Sequence, residues 1–227
     1  MKIPNCVGII MDGNRRWAEN NGLSKLEGHR AGADTLKNVS IWSRDAGVKH
    51  LILYTFSTEN WNRIAEEVSY LLNLIGEMIE RELDHFNKEN GILHFVGDLS
   101  RFSPGLREKL LNASEKTKNN TGLHIYLALN YGGRSEIISA VKKIVSENPK
   151  IEDITEDYFS SHLQTYPMPD PDIIVRTSGE LRLSGFLPWQ TVYSELFFTK
   201  TLWPDFSKDE FLSILDEYQK RDIRKGK

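Results

Sequence analysis

Cysteine is almost absent from this sequence. The 227-residue chain carries Cys6 alone, so no internal disulfide can form, and one thiol cannot build a thiolate metal cage. A reducing, cytoplasmic setting is the expectation. Long apolar runs are missing too: none approaches the roughly 18 residues of a spanning helix. Met1-Lys2-Ile3-Pro4 leads almost directly into a strand pattern, so no secretory leader is expected. An excess of one charge is also lacking. Lys and Arg number 29 against 32 Asp and Glu, a net charge of -3, which offers no basic footprint for nucleic acid. No G-x-G-x-x-G follows the first strand, which removes a dinucleotide fingerprint, and no G-x-x-x-x-G-K-[ST] phosphate loop occurs. With no G-x-S-x-G elbow and no histidine beside Cys6, covalent catalysis has little support. No internal repeat, low-complexity segment or long linker is present.

What is present is alternation. Strand patterns at 7–10, 50–56, 92–98 and 123–130, with a short one after 169, are separated by helical patterns. A helix is expected from after Gly28 to Gly47. The clearest helix spans 66–89, where Val68, Leu71, Leu72, Ile75, Met78, Ile79, Leu83 and Phe86 recur at threes and fours. Further helices are expected after Ser103-Pro104, over 135–145 and after Phe206-Ser207. The segment 189–198 fits helix or strand equally. The pattern argues an α/β fold: a single domain over 1–227 with a mostly parallel central sheet flanked by helices.

Four strand patterns stop abruptly at polar residues: MDGNRR, STENWNR, NYGGR and RTSGE. In open α/β sheets the ligand crevice lies at the carboxyl ends of strands, so these exits are expected to converge. Their inventory of arginines, small hydroxyls, amides and carboxylates suits phosphoryl oxygens and a hard divalent cation. Each residue also has an ordinary structural reading. Asp12-Gly13-Asn14 is common turn material, and Arg15 and Arg16 suit a solvated face. His29 suits a helix start. Ser57, Thr58 and Glu59 suit a cap before a helix. Glu195 stands in an apolar YSELFF run, where a buried carboxylate must be paired, with an arginine such as Arg176, or bound to a metal. The basic tail KRDIRKGK is either a solvated helix end or a contact for anionic lipid or a diphosphate.

MDGNRRWA (11–18), HRAG (29–32), FSTENWNR (56–63), NYGGR (130–134), RTSGELRLSGFLPWQ (176–190) and YSELFFTKTLWPDF (193–206) resemble bacterial cis-prenyltransferases, in order and over nearly the whole chain. The resemblance implies a homodimer in which each parallel sheet and its helices enclose an elongated apolar tunnel. It implies repeated addition of isopentenyl diphosphate to an allylic diphosphate, with Mg2+ as cofactor, to give a long polyprenyl product. Transient membrane contact for product release is a further expectation, and nucleic acid is not an expected partner.

Residue by residue, the resemblance makes Asp12 the metal ligand, with Glu195 as its preferred companion. Gly13, Asn14, Arg16 and Lys25 cradle the allylic diphosphate, with Arg15 and Trp17 beside them and His29 close by. Ser57 and Asn60 stand near the reacting carbon, Glu59 and Arg63 in the same cluster, with Trp61 as core or lid. Arg176, Arg182 and Ser184 hold isopentenyl diphosphate. Thr55 forms tunnel wall near the primer. Departures from the family pattern fall at Arg15, Lys25, Leu181, Gly185 and the tail, and they bear on substrate and product length. A short-chain or branching synthase of the same family, and a non-catalytic phosphate- or isoprenoid-binding protein, are the alternatives. Retention of Asp12, Asn60, Arg63, Arg182 and Glu195 argues against the latter.

Overall fold

The computed structural model describes residues 3–221. Chain order is β1 (Cys6–Ile10), α1 (Asn14–Asn20), α2 (Lys25–Asp45), β2 (His50–Ser57), α3 (Ala65–Lys88), β3 (Ile92–Val96), α4 (Pro104–Thr117), β4 (His124–Tyr131), α5 (Gly133–Glu147), α6 (Glu156–Ser161), β5 (Ile173–Arg176), β6 (Glu195–Phe198) and α7 (Lys208–Lys220). The strands form one sheet in the order β3-β4-β2-β1-β5-β6, and every neighbouring pair is parallel. The chain leaves β1 toward β2 on one side, and leaves β5 toward β6 on the other. A crevice therefore opens where the carboxyl ends of β1 and β5 meet, the usual place for a ligand in such a sheet.

One sheet face carries the main core. Val7, Ile9, Leu51 and Leu53 pack there against Leu36 and Val39 of α2, and against Ile75, Ile79 and Leu83 of α3. Leu106 and Leu110 of α4 and Phe211 and Leu215 of α7 complete that layer. On the opposite face Phe186, Leu187 and Met168 cover Ile10, Ile52, Tyr126 and Ala128. The near-continuous burial of β1, β4 and β5 is what a parallel sheet covered on both faces requires.

Two features depart from the sequence pattern. The polar exit MDGNRRW does not stay irregular but turns into α1, which Gly13 makes possible with φ of 116°, a conformation glycine adopts without strain. The next helix begins at Lys25 and not after Gly28. Ser24 and Glu27 form a capping box: the Ser24 hydroxyl accepts from the Glu27 N–H, and the Glu27 carboxylate accepts from the Ser24 N–H. Gly28 and Gly32 then lie inside α2 and let α1 press against it. A Cβ at Gly28 would sit 2.2 Å from the Asn14 carbonyl oxygen, and one at Gly32 would sit 2.3 Å from Asn14 Oδ1. The ambiguous 189–198 segment resolves into turns followed by the four-residue strand β6. Of the basic tail, Arg221 is ion-paired with Glu195 and Glu217; residues 222–227 lie outside the described residues.

Trp203 fastens these parts together. It is 1% exposed, donates its indole N–H to the Gly32 carbonyl at 2.8 Å, and its own backbone N–H bonds to the Asp12 carbonyl at 3.0 Å. Trp203→Ala removes a large buried ring and leaves the Gly32 carbonyl without this donor. A loss of about 3–5 kcal/mol is expected, read as a lowered urea midpoint with an unchanged slope.

Candidate active site

The crevice is built around one buried guanidinium. Register pairs Ile10 of β1 with Arg176 of β5, so Asp12, two residues past Ile10, emerges beside Arg176. Arg176 is 4% exposed, and a charge so deep must be paired. Its Nη2 donates to Asp12 Oδ2 at 2.8 Å. Its Nη1 donates to Ser184 Oγ at 2.9 Å and to the Arg182 carbonyl. The Arg176 Nε is buried with no protein partner. Thr177 binds both strand exits: its Oγ1 accepts from the Asp12 N–H at 3.0 Å and donates to the Asp12 carbonyl at 2.6 Å. Arg176 thus organises the RTSGELRLS loop from within, while Arg182 stands at its rim, 59% exposed by side chain and paired with Glu180 at 2.5 Å. The other carboxylate oxygen of Glu180 faces Arg16 at 3.6 Å, and Arg16 donates to Ser178 Oγ at 2.5 Å. The MDGNRR and RTSGE exits therefore share one edge.

From Asp12 two lobes open. A polar lobe of about 340 Å³ is walled by Asp12, Gly13, Asn14, Arg15, Arg16, His29 and Arg63. An apolar lobe of about 200 Å³ runs between α2 and α3, walled by Ala33, Leu36, Leu71, Leu74, Ile75 and Met78. Asp12, Asn14, His29 and Arg63 line both lobes. Thr55, Ser57 and Asn60 line the apolar lobe and not the polar one. The Ser57 N–H donates to Asn60 Oδ1 at 3.1 Å, which fixes the amide at the cavity wall. Asn14 Oδ1 is buried without a partner.

A residue the sequence pattern did not single out ties the mouth together. Glu67, 4% exposed, accepts from Arg63 Nη1 at 2.9 Å and faces His29 Nε2 at 3.2 Å. Burial pushes the Glu67 carboxyl up, but the hydrogen bond from His29 and the charges of Arg63 and Arg15 outweigh it and hold it below the usual range. Burial, against the Glu67 bond, pushes the His29 imidazole below its ordinary value. The available signal was spacing: Arg63 and Glu67 stand four apart at a helix start, where ion pairs meet.

Other expected site residues lie elsewhere. Lys25 and Glu59 are exposed and line neither lobe. Trp17 holds α1 to the 203–205 turn through Asp205 at 2.7 Å. Trp61 is a brace: its indole N–H donates to Asn130 Oδ1 at 2.8 Å, its ring stands edge-on to Phe56, and Arg101 lies 4.3 Å over its face. The NYGGR exit does not line the cavity either. It supports the other exits through Asn130 and through the Gly133 N–H, which donates to the Gly185 carbonyl at 2.9 Å. Glu195 is not beside Asp12 in this chain. It pairs with Ile173 at the start of β5, three residues and so about 10 Å from the Arg176 end, and its carboxylate is bonded to Arg221 Nη1 at 2.5 Å. Its partner is thus an arginine, though not Arg176. Among the described residues no group of three or more His, Cys, Asp or Glu is arranged to hold a metal ion.

Residues 10–226 match a family model described as putative undecaprenyl diphosphate synthase. The chain is 46% identical to an isoprenyl transferase of Clostridium perfringens, over 99% of this chain and 90% of that protein. It is 46% identical to one of Thermotoga maritima, over 100% and 98%. Two solved structures share its architecture at 32% identity. Lavandulyl diphosphate synthase from Lavandula x intermedia, in complex with dimethylallyl diphosphate, has a TM-score of 0.95 over 99% of both chains. A probable undecaprenyl diphosphate synthase from Campylobacter jejuni has a TM-score of 0.84 over the whole of both. With a polar lobe and an apolar lobe meeting at one carboxylate, and with these relatives along its full length, the chain belongs to the cis-prenyltransferase family of isoprenyl transferases.

Proposed function

We propose that this protein is a magnesium-dependent cis-prenyltransferase that condenses isopentenyl diphosphate repeatedly onto an allylic primer such as farnesyl diphosphate, giving a long-chain product of the undecaprenyl type. The observation that carries this reading is a pair of adjoining cavities with Asp12, Asn14, His29 and Arg63 in both walls: a polar one with Arg15, Arg16 and Arg63 against Asp12 and Glu19, suited to a diphosphate head, and a more apolar one suited to an isoprenoid tail. Each methylene buried in such a lobe contributes about 0.8 kcal/mol. Asn14, Arg15, Arg16, His29 and Arg63 hold the allylic diphosphate; Arg176, Arg182 and Ser184 hold isopentenyl diphosphate; Asp12 lies between the two groups. Magnesium commonly takes one or two carboxylates and completes its shell with substrate phosphates and water, and Asp12, two-thirds buried by side chain and open to the polar lobe, fits that mode alone. When bound there, the ion neutralises charge on the departing diphosphate.

In the reaction the allylic carbon–oxygen bond breaks and its electron pair leaves with diphosphate. The isopentenyl double bond attacks the allylic carbon, and a proton is then lost. Ser57 and Asn60, in the wall of the apolar lobe, stand nearest the reacting carbon, and Thr55 forms the primer wall. A homodimer, a cytoplasmic setting and transient membrane contact belong to the same proposal; no described helix is long and apolar enough to cross a membrane. A second reading, a short-chain or branching synthase, is favoured by the shape likeness to lavandulyl diphosphate synthase. Mass analysis of products from isopentenyl and farnesyl diphosphates separates the two: a long polyprenyl series supports the first, and a single short product the second.

Two substitutions test the roles. Asp12→Ala should remove nearly all turnover with magnesium in excess, because charge neutralisation matters most as the leaving group departs, and a thermal melt should show a folded protein of lowered stability, because Arg176 loses its paired carboxylate. Near-native turnover would sink the assignment. Arg182→Ala should raise the KM for isopentenyl diphosphate tenfold or more, the equivalent of a charged hydrogen bond worth about 1.5–3 kcal/mol, with a much smaller change for the primer. An equal or larger effect on the primer would show the two anion sites to be exchanged.

A further inference from the structure

The apolar lobe ends at a charged feature that the apolar pattern of α3 does not call for. Glu82 falls within the buried stripe of that helix, after Met78 and Ile79 and before Leu83 and Phe86, and it is 4% exposed. Its Oε2 accepts from Lys37 Nζ of α2 at 2.7 Å, its Oε1 from Arg81 Nε at 2.7 Å, and Arg81 reaches Asp34 of α2 at 3.4 Å. Charges so placed are poor stabilisers, since an apolar pair of similar volume often serves as well. Broken local rules of this kind mark sites with another role.

The spacing of the ties between α2 and α3 shows what that role is. At the mouth His29 meets Glu67; lower down Lys37 meets Glu82. Between these ties α2 advances by eight residues, about 12 Å, and α3 by fifteen, about 22 Å. Such unequal spacing matches helices that diverge between the two ties, and the apolar lobe lies in that interval, lined by Ala33 and Leu36 of α2 and by Leu71, Leu74, Ile75 and Met78 of α3. Seven residues further along both helices, Arg44 is ion-paired with Glu89, so below Lys37–Glu82 the helices advance in step. The lining confirms the position: the lobe ends at Leu36 on α2 and Met78 on α3, one residue and four residues short of the clamp. Beyond it the same seam holds a small void of about 20 Å³ between Ser40, Ile41, Phe86 and Leu123, about the room of one water.

We propose that the Lys37–Glu82 ion pair is a product-length determinant: it holds α2 against α3 at the floor of the apolar lobe and limits how far a growing isoprenoid tail advances along the seam. Lys37 and Glu82 act as positioning residues, and they touch neither diphosphate. The inference rests on the prenyl-transfer reading and adds to it the place where elongation meets resistance.

The test compares the products of wild type, Lys37→Ala, Glu82→Ala, Glu82→Gln and the exchanged pair Lys37→Glu/Glu82→Lys, each with isopentenyl and farnesyl diphosphates, by mass spectrometry. Thermal melts establish folding. The single substitutions should shift the most abundant product longer by an isoprene unit or more, with little change in the KM of either diphosphate, and the exchanged pair should return it toward the wild-type length. Glu82→Gln keeps the shape of the side chain and provides the readout if the alanine variants do not fold. Folded, active single variants with the wild-type distribution would overturn the proposal, as would an exchanged pair whose products stay as long as those of the single variants. A wild type that forms no prenyl product would instead overturn the functional reading on which the proposal stands.

Discussion

The bond between Asp12 and Arg176 is the constraint on which the rest of the site depends. A guanidinium this buried needs its charge paired, and Asp12, Ser184 and the Arg182 carbonyl take its two terminal nitrogens, leaving Nε alone without a protein partner. The adjacency of β1 and β5 makes the meeting possible, because their register sets Arg176 level with Ile10. Two loops distant in sequence become one unit. The carboxylate at the β1 exit and the RTSGELRLS loop after β5 are held together, and Thr177 adds further bonds to the same joint. A chemistry that brings two diphosphates together needs such a joint, since a small displacement of one anion site relative to the other would misalign the reacting carbons.

The exit of β4 serves that joint from outside. Asn130, at φ of 48°, takes the Trp61 indole N–H on Oδ1 and gives its own Nδ2 to the Asp98 carbonyl at 2.7 Å. Two residues after Tyr131, Gly133 comes so close to the 185–188 turn that a Cβ would lie 2.0 Å from Pro188 Cδ. Beneath it the buried Glu136 accepts from the Tyr131 hydroxyl at 2.7 Å and from the Thr165 N–H at 2.9 Å. This carboxylate is fully served by neutral donors and stays out of the cavity. Asn130, Gly133 and Glu136 of NYGGRSE are thus internal scaffolding for the neighbouring exits, while Arg134 and Ser135 face solvent.

The parallel sheet was legible because buried strands and an amphipathic α3 leave strong periodic signals. Asp12, Asn14, Asn60 and Arg63 were legible by residue type at strand exits, whereas His29, within α2, was singled out by the resemblance alone. What could not be read was partnership. Residue type and alternation reveal which face a side chain takes, but not its level along the sheet. Glu195 shows this: its apolar neighbours reveal that it needs a partner, yet only the β5–β6 register shows it at the far end of the strand, beside Arg221. Glu67 escaped notice for the opposite reason. An exposed helix start is where a glutamate is expected, and nothing in its spacing reveals that His29, far away in sequence, closes over it.

The apolar stripe of α3, the clearest pattern in the sequence, serves two purposes. A stripe of leucine, isoleucine and methionine is required whether the helix packs on the sheet or walls a lipid chamber, because both remove methylenes from water. Ile79, Leu83 and Phe86 pack in the core, Leu74 lines the lobe, and Ile75 and Met78 do both. The division does not follow any change in hydrophobicity along the helix. It follows from where α2 lies flush with α3 and where it does not. That geometry is set by the few polar contacts between the two helices, so the position of an apolar chamber is written in the charged residues at its ends.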